Sequence, residues 1–316
     1  MRVLVAGTGA LGSVCGGFLR RAGVAVTLLG RAAHLAAIER DGLALDGLWG
    51  AHRVRGFTLA ADADALRGAF DVILLTVKAP DTTAVARAVA PRLAADGVMV
   101  SLQNGLGNVE AIEAVVGPAR ALGARVIFGA TVPAPGAAVV TVFADPTAIG
   151  SLAPGAFPAR DRAAAALAAA LDGAGVPSVA TDRLPALLWA KVLYSAALNP
   201  LGALLGVHYG ALAERPESRA VMNAVIGEAL AVAAAEGVAL PWARAAAYQD
   251  EFYGRLVPAT FDHRSSMLQD LERGRRTEID AITGEVWRRG ERHGISTPTA
   301  AALTRLVHLA ERPPHA

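Results

Sequence analysis

The 316-residue chain has one cysteine, four tryptophans and four tyrosines, and only 18% of its residues are charged. A single cysteine cannot form an internal disulfide, which agrees with a reducing compartment. Cys15 lies in the first expected helix, where packing is a more ordinary role than reactivity. Hydrophobic residues make up 53% of the chain, yet no stretch of ~18 uncharged apolar residues suggests a membrane span. The most apolar region, 222–240, is broken by Glu228 and Glu236 and reads as an amphipathic helix. Nor does the start of the chain read as a secretory signal, because the apolar run after Arg2 breaks into glycines. The expected location is therefore cytoplasmic.

Charge of one sign is also scarce. Thirty Lys and Arg face 28 Asp and Glu, a formal net charge of +2, and the arginines are scattered rather than clustered, so no nucleic-acid footprint is present. The short run Arg273-Gly274-Arg275-Arg276 reads as a solvated helix end. His263 stands alone. There is no HExxH and no paired CxxC, so no metal is expected, and no G-x-S-x-G supports a serine hydrolase.

What is present is an alternation. Up to about residue 150, short β-branched or leucine-rich runs (3–6, 25–29, 72–77, 98–102, 124–128) alternate with alanine-rich helical stretches. This is the pattern of a parallel sheet with helices on both faces. A helix is expected at 34–40, a short β-like excursion around 52–58, a hairpin within 138–150, a helix at 161–173 and a last strand near 176–180. After Thr181 the strands stop, and helical periodicities occupy 183–202, 218–236, 241–256, 265–289 and 297–311. The reading is an α/β fold: a doubly wound Rossmann-type domain over 1–181, then an all-α domain over 182–316, with the cleft between them as the default site.

The first strand runs into Gly7-Thr8-Gly9-Ala10-Leu11-Gly12 and then a helix, the context that makes a GxGxxG informative. Gly7 permits the tight turn, Gly9 lets backbone approach a pyrophosphate, and Gly12 allows close helix–strand contact, with the helix N-terminus supplying partial positive charge. A Walker loop is excluded because Ser13 follows Gly12 with no lysine between. The second strand ends Leu29-Gly30-Arg31, where many dinucleotide folds carry an acid for the ribose hydroxyls. A guanidinium there pairs with a 2′-phosphate, so NADP is the expected cofactor.

Strand ends are where open parallel sheets bind ligands. Two polar stretches lie at such ends, Thr76-Val77-Lys78 and Ser101-Leu102-Gln103-Asn104-Gly105. In the helical half, Lys191, Ser195 and Asn199 are spaced by four and share one helix face.

With GTGALG, TVKA, LQNGLG, LWAKVLYSAALNP and SSMLQD-x6-TEID in this order, the chain resembles the ketopantoate reductase (2-dehydropantoate 2-reductase) family over nearly its whole length. The resemblance implies a Rossmann-type domain, a helical domain, NADPH, and reduction of a 2-oxo acid to a 2-hydroxy acid in pantothenate synthesis. By position, Lys191 is similar to the family's catalytic lysine and Glu278 to the acid of TEID, which also belongs to the cofactor set. Asn104 is similar to the amide that serves substrate and cofactor. Asn199 and Ser266 resemble substrate contacts, Lys78 the lysine of VKA, and Arg31 the 2′-phosphate arginine. Ser195 departs from the pattern, since characterised members commonly have asparagine there. A serine is shorter and lacks the amide's paired donors, which bears on the distal part of the substrate.

Hydride addition to a ketone leaves negative charge on oxygen, so a donor must stabilise and then protonate it. Lys191 suits that task, Asn104 adds a hydrogen bond, and Ser266 suits the substrate carboxylate. The expected partner is a small 2-oxo acid, with no nucleic acid and no membrane, and a homodimer left open. Two alternatives remain at this level: a related reductase of another 2-oxo acid, and a non-catalytic NADP-binding protein.

Overall fold

The computed structural model describes residues 1–242 and 244–311. The chain divides into two compact units. One comprises Met1–Gln103 with Asn108–Leu184; the other takes Asn104–Gly107 together with the chain from Pro185.

The first unit runs β1 (Arg2–Ala6), α1 (Ala10–Arg21), β2 (Ala25–Leu29), α2 (Ala32–Asp41), β3 (Leu43–Gly47), β4 (His52–Val54), β5 (Thr58–Ala60), β6 (Phe70–Leu75), α3 (Thr82–Val89), β7 (Leu93–Ser101), α4 (Asn108–Val116), β8 (Ala121–Thr131), β9 (Ala137–Gly150), α5 (Pro158–Ala174) and β10 (Ser178–Ala180). Its single sheet has the order β4-β3-β9-β8-β7-β6-β1-β2-β5, with β10 on β9. From β8 to β5 every pairing is parallel. Strand β1 shows why helices must cover both faces: Val3 and Val5 enter one core with Phe18 and Leu171, whereas Leu4 and Ala6 enter the other with Val89 and Ile112. Alternate side chains point to opposite faces, so a strand buried on both reads as a continuous apolar run. Cys15 is buried in the first of these cores, and burial pushes its thiol up to about 12. That is the environment of an inert packing residue.

Two expectations for this unit are corrected. Residues 138–150 do not form a hairpin of their own; they are one long strand, β9, antiparallel to β8. Asp145-Pro146 coincides with register shifts in the β8–β9 ladder, where a residue without an N–H is tolerated. The strand expected to reach 77 ends at Leu75, because Thr76 turns to bond the first glycine loop.

The second unit is helical: α6 (Leu184–Leu205), α7 (Tyr209–Ala213), α8 (Pro216–Ala235), α9 (Ala245–Glu251), α10 (Ser266–Glu272), α11 (Thr283–His293) and α12 (Pro298–Ala310). The helix expected over 265–289 is two helices. It breaks after Glu272, where Gly274 takes φ +58, a conformation that glycine adopts readily. The chain then crosses to α11 through a 3₁₀ turn, Ile279–Ala281, and this non-helical crossing carries Glu278. Both α6 and α8 are long and apolar enough to cross a membrane, but α6 is mostly buried and α8 is joined to α12. Helix α6 carries Lys191, and on α8 the Glu228 carboxylate accepts the Thr299 and Ala300 N–H groups at 2.8 Å.

Candidate active site

In the first unit the three motif glycines differ in what surrounds them. A Cβ on Gly7, at φ +111, would lie 2.6 Å from the Val77 nitrogen, and one on Gly12 would lie 2.2 Å from the Gly7 carbonyl oxygen. Gly7 and Gly12 are therefore demanded by the protein itself. At Gly9 a Cβ would meet no protein atom within 4 Å, so the room left there is available to a ligand. Gly9 is the N-cap of α1, and the first-turn N–H groups, beginning at Ala10, Leu11 and Gly12, lack intrahelical acceptors, as at any helix start. The Gly7 and Thr8 N–H groups both donate to the Leu29 carbonyl at 2.9 and 3.2 Å, tying the loop to the end of β2. There Gly30 packs so tightly on Thr8 that a Cβ would fall 1.5 Å from Oγ1. The next residue, Arg31, is exposed at the N-cap of α2.

The two strand-end stretches are stitched together. Thr76 Oγ1 donates to the Gly7 carbonyl at 2.5 Å. Gln103 Nε2 donates to the Val77 carbonyl at 2.9 Å and to Thr82 Oγ1 at 2.6 Å. Lys78, half-buried, caps the 3₁₀ turn Ala79–Asp81. Sequence reasoning missed Thr76 and Gly30 as shapers of this loop, although both lie inside the quoted motifs.

In the second unit three of the expected site residues meet. Lys191 Nζ donates to Asn104 Oδ1 at 2.7 Å, and Asn104 Nδ2 donates to Glu278 Oε2 at 3.1 Å. An ammonium requires an acceptor and a carboxylate requires a donor, so the two charges together fix which way the amide faces. The backbone beneath is equally constrained. Leu106 N–H donates to the Ala281 carbonyl at 2.8 Å, and Gly105, at φ +88, approaches so closely that a Cβ would lie 2.2 Å from that same oxygen. The Asn-Gly pair thus locks onto the turn that follows Glu278.

Lys191, Ser195 and Asn199 all lie on α6. Successive members are one turn plus a fraction apart, with a rise of about 6 Å per four residues. Ser195 and Asn199 are each only 9% exposed. Asn199 Oδ1 accepts the Tyr209 hydroxyl at 2.6 Å, whereas its Nδ2 and the Ser195 hydroxyl have no hydrogen-bond partner among the described residues. This side of α6 thus offers a hydroxyl and an amide N–H₂ without a protein partner among the described residues. Tyr209 is a site residue that sequence reasoning missed; it lies in no periodic pattern and no quoted motif.

Of the paired serines, Ser265 is fully buried and its Oγ accepts the Leu268 N–H at 3.0 Å, capping α10. Ser266 is exposed at the first position of that helix. The neighbouring His263 ring stacks 5.1 Å from Tyr209, and burial lowers its pKa. Among the described residues, no group of three His, Cys, Asp or Glu could hold a metal.

Comparison with known proteins gives a consistent result. Residues 3–154 match the family profile described as "Ketopantoate reductase PanE/ApbA", and residues 184–311 match that of its C-terminal domain. A 2-dehydropantoate 2-reductase of Aquifex aeolicus is 34% identical over 98% of this chain and 97% of its own. Among solved structures, a PanE/ApbA family ketopantoate reductase from Ralstonia eutropha JMP134 superposes with a TM-score of 0.87 at 34% identity, covering 98% of both chains. A D-mandelate dehydrogenase in a ternary structure with NADH and anilino(oxo)acetate superposes with a TM-score of 0.86 at 26% identity, covering 98% of both.

Proposed function

This chain belongs to the ketopantoate reductase family, and from that premise we propose that it reduces ketopantoate to pantoate with NADPH in pantothenate synthesis. The first unit binds the cofactor through residues 7–12, Arg31 and Lys78. The second provides the 2-oxo acid site through Lys191, Asn104, Glu278, Ser195, Asn199 and Ser266. The observation that carries the reading is the Lys191–Asn104–Glu278 chain, whose lysine lies on α6 together with Ser195 and Asn199.

NADPH supplies the hydride. The protein supplies what the carbonyl oxygen then needs. Lys191 Nζ stands as a cationic donor able to stabilise the developing alkoxide and transfer a proton to it, after which the neutral amine is reprotonated from solvent. Asn104 orients the ammonium, and Glu278 holds the amide in turn. The open side of Gly9 fits a pyrophosphate, and Arg31 fits the 2′-phosphate that distinguishes NADPH from NADH. A buried, high-pKa Cys15 is compatible with the reducing cytoplasm proposed for the protein.

A second reading changes only the substrate. Ser195 is small, and the tyrosines at 194 and 209 pack edge to face at 5.7 Å beside Asn199, so the wall carries rings as well as donors. An aryl 2-oxo acid would fit such a wall, in keeping with the mandelate dehydrogenase neighbour. The experiment is a comparison of kcat/KM for ketopantoate, 2-oxoisovalerate and aryl 2-oxo acids by loss of NADPH absorbance. Ketopantoate should lead. Preference for a substrate lacking the distal hydroxyl would retain the reductase chemistry and overturn the substrate, and absence of turnover with all of them would favour a non-catalytic NADP-binding protein.

A further inference from the structure

Asn199 has two faces with opposite hydrogen-bonding character, and only one of them is committed. Its Oδ1 accepts from Tyr209 at 2.6 Å. Tyr209 is 3% exposed, and burial raises its pKa, so the phenol keeps its proton and acts as the donor. The tyrosine is itself held firmly. Its backbone N–H donates to the His263 carbonyl at 3.1 Å, and the next residue, Gly210, donates to the Phe261 carbonyl at 2.8 Å. Its ring packs against His263 at 5.1 Å and against Tyr194 at 5.7 Å, and Tyr194 in turn shares a hydroxyl bond of 2.5 Å with Thr260.

We infer that Tyr209 is a positioning residue for the 2-oxo acid: it turns the Asn199 carboxamide so that Nδ2 alone is offered to the substrate, which must meet it with an oxygen acceptor. The inference rests on the substrate site proposed above. With the amide fixed, the α6 face presents an ammonium at 191, a hydroxyl at 195 and an amide N–H₂ at 199. A carboxylate or hydroxyl oxygen satisfies such a row, whereas a ligand group that can only donate finds no acceptor at 199. If Tyr209 is removed, the carboxamide is free to rotate and presents Oδ1 part of the time.

The test is a double-mutant cycle on kcat and KM for ketopantoate and 2-oxoisovalerate, with thermal unfolding and NADPH affinity measured alongside. Tyr209→Phe should raise KM about tenfold while kcat stays within about threefold, because the proton donor is untouched. In an Asn199→Ala background the same Tyr209→Phe change should alter kcat/KM by less than about twofold. Should Tyr209→Phe fold poorly, Asn199→Asp provides the second route. It keeps an acceptor for Tyr209 but replaces the outward N–H₂ with a carboxylate oxygen, and KM should rise at least ~30-fold with NADPH affinity unchanged. A Tyr209→Phe loss that persists in the Asn199→Ala background, or an Asn199→Asp enzyme with near-native KM, overturns the inference while leaving the reductase reading intact. A native protein that turns over no 2-oxo acid overturns the reductase reading, and the inference falls with it.

Discussion

Lys191 and Glu278 share one amide: Asn104 accepts from the lysine and donates to the acid. In that geometry Lys191 should dominate the chemical step. Lys191→Met keeps the bulk and removes the donor, and kcat should fall at least ~100-fold with NADPH affinity retained; single-turnover kinetics and cofactor titration check the two halves separately. Arg31 should behave in the opposite way. It is exposed, no acid occupies the end of β2, and Arg31→Ala should weaken NADPH by about 1.5–3 kcal/mol while leaving NADH nearly unchanged. Equal losses for the two cofactors would remove the assignment to the 2′-phosphate. At this scale the sequence was informative wherever a residue sat in a motif or a four-residue spacing, as Lys191, Ser195 and Asn199 did. It was silent on Tyr209, because a hydrogen bond to Asn199 depends on how α7 packs and not on any local pattern.

Elements with a strong period were legible, and those defined by their partners were not. Strand 3–6 came close to its observed limits because double burial writes a continuous apolar run, and 25–29 because only the β-branched Thr27 interrupts its apolar residues. The single strand β9 was misjudged because Asp145-Pro146 carries a turn's chemistry while the sheet absorbs it as an irregularity. Helix α8 gives the clearest case of a side chain whose role only the partner reveals. Glu228 looked like a break in an apolar face, yet its carboxylate accepts two N–H groups from the first turn of α12. A carboxylate there satisfies orphan donors and meets the positive end of the helix. Glu228→Ala should therefore destabilise the protein by about 1–2 kcal/mol, and Glu228→Gln by less, since one acceptor oxygen remains. Chemical denaturation midpoints of the two variants test this, and equal stability of Ala and native protein would deny α12 its cap.

At the scale of the whole molecule, the buried titratable groups set the response to acid, and most of them push in one direction. The His34 ring is 8% exposed; its Nδ1 accepts the Gly136 N–H at 3.1 Å, which leaves Nε2 to carry the hydrogen toward Ser13 Oγ at 3.1 Å. Protonation would set N–H against N–H. Burial, and then the Arg31 charge, lower the His34 pKa below 6.5, and burial lowers that of His263 in the helical unit. Well above pH 6.5 both rings are neutral whether the chain is folded or not. As pH falls below 6.5 the unfolded chain takes up protons that the native state refuses, so stability declines with falling pH until the folded pKa values are reached. Glu285 continues the trend at lower pH: burial pushes its carboxyl up, but Arg289 and Arg288 outweigh that and hold it below the usual range, so its contribution is lost only as pH falls from about 4.5 downward. Glu113, raised by burial and by Glu110, runs the other way. A difference of one bound proton changes stability by about 1.4 kcal/mol per pH unit. Urea midpoints should therefore fall measurably between pH 7.5 and 5.5, with Glu113 offsetting part of the fall at the acid end. His34→Gln removes one of the two rings and should flatten that decline by as much as one proton's worth, whatever it costs at pH 7.5. A His34→Gln protein whose midpoint falls as steeply as that of the native protein would mean that the His34 ring is not kept neutral by its surroundings.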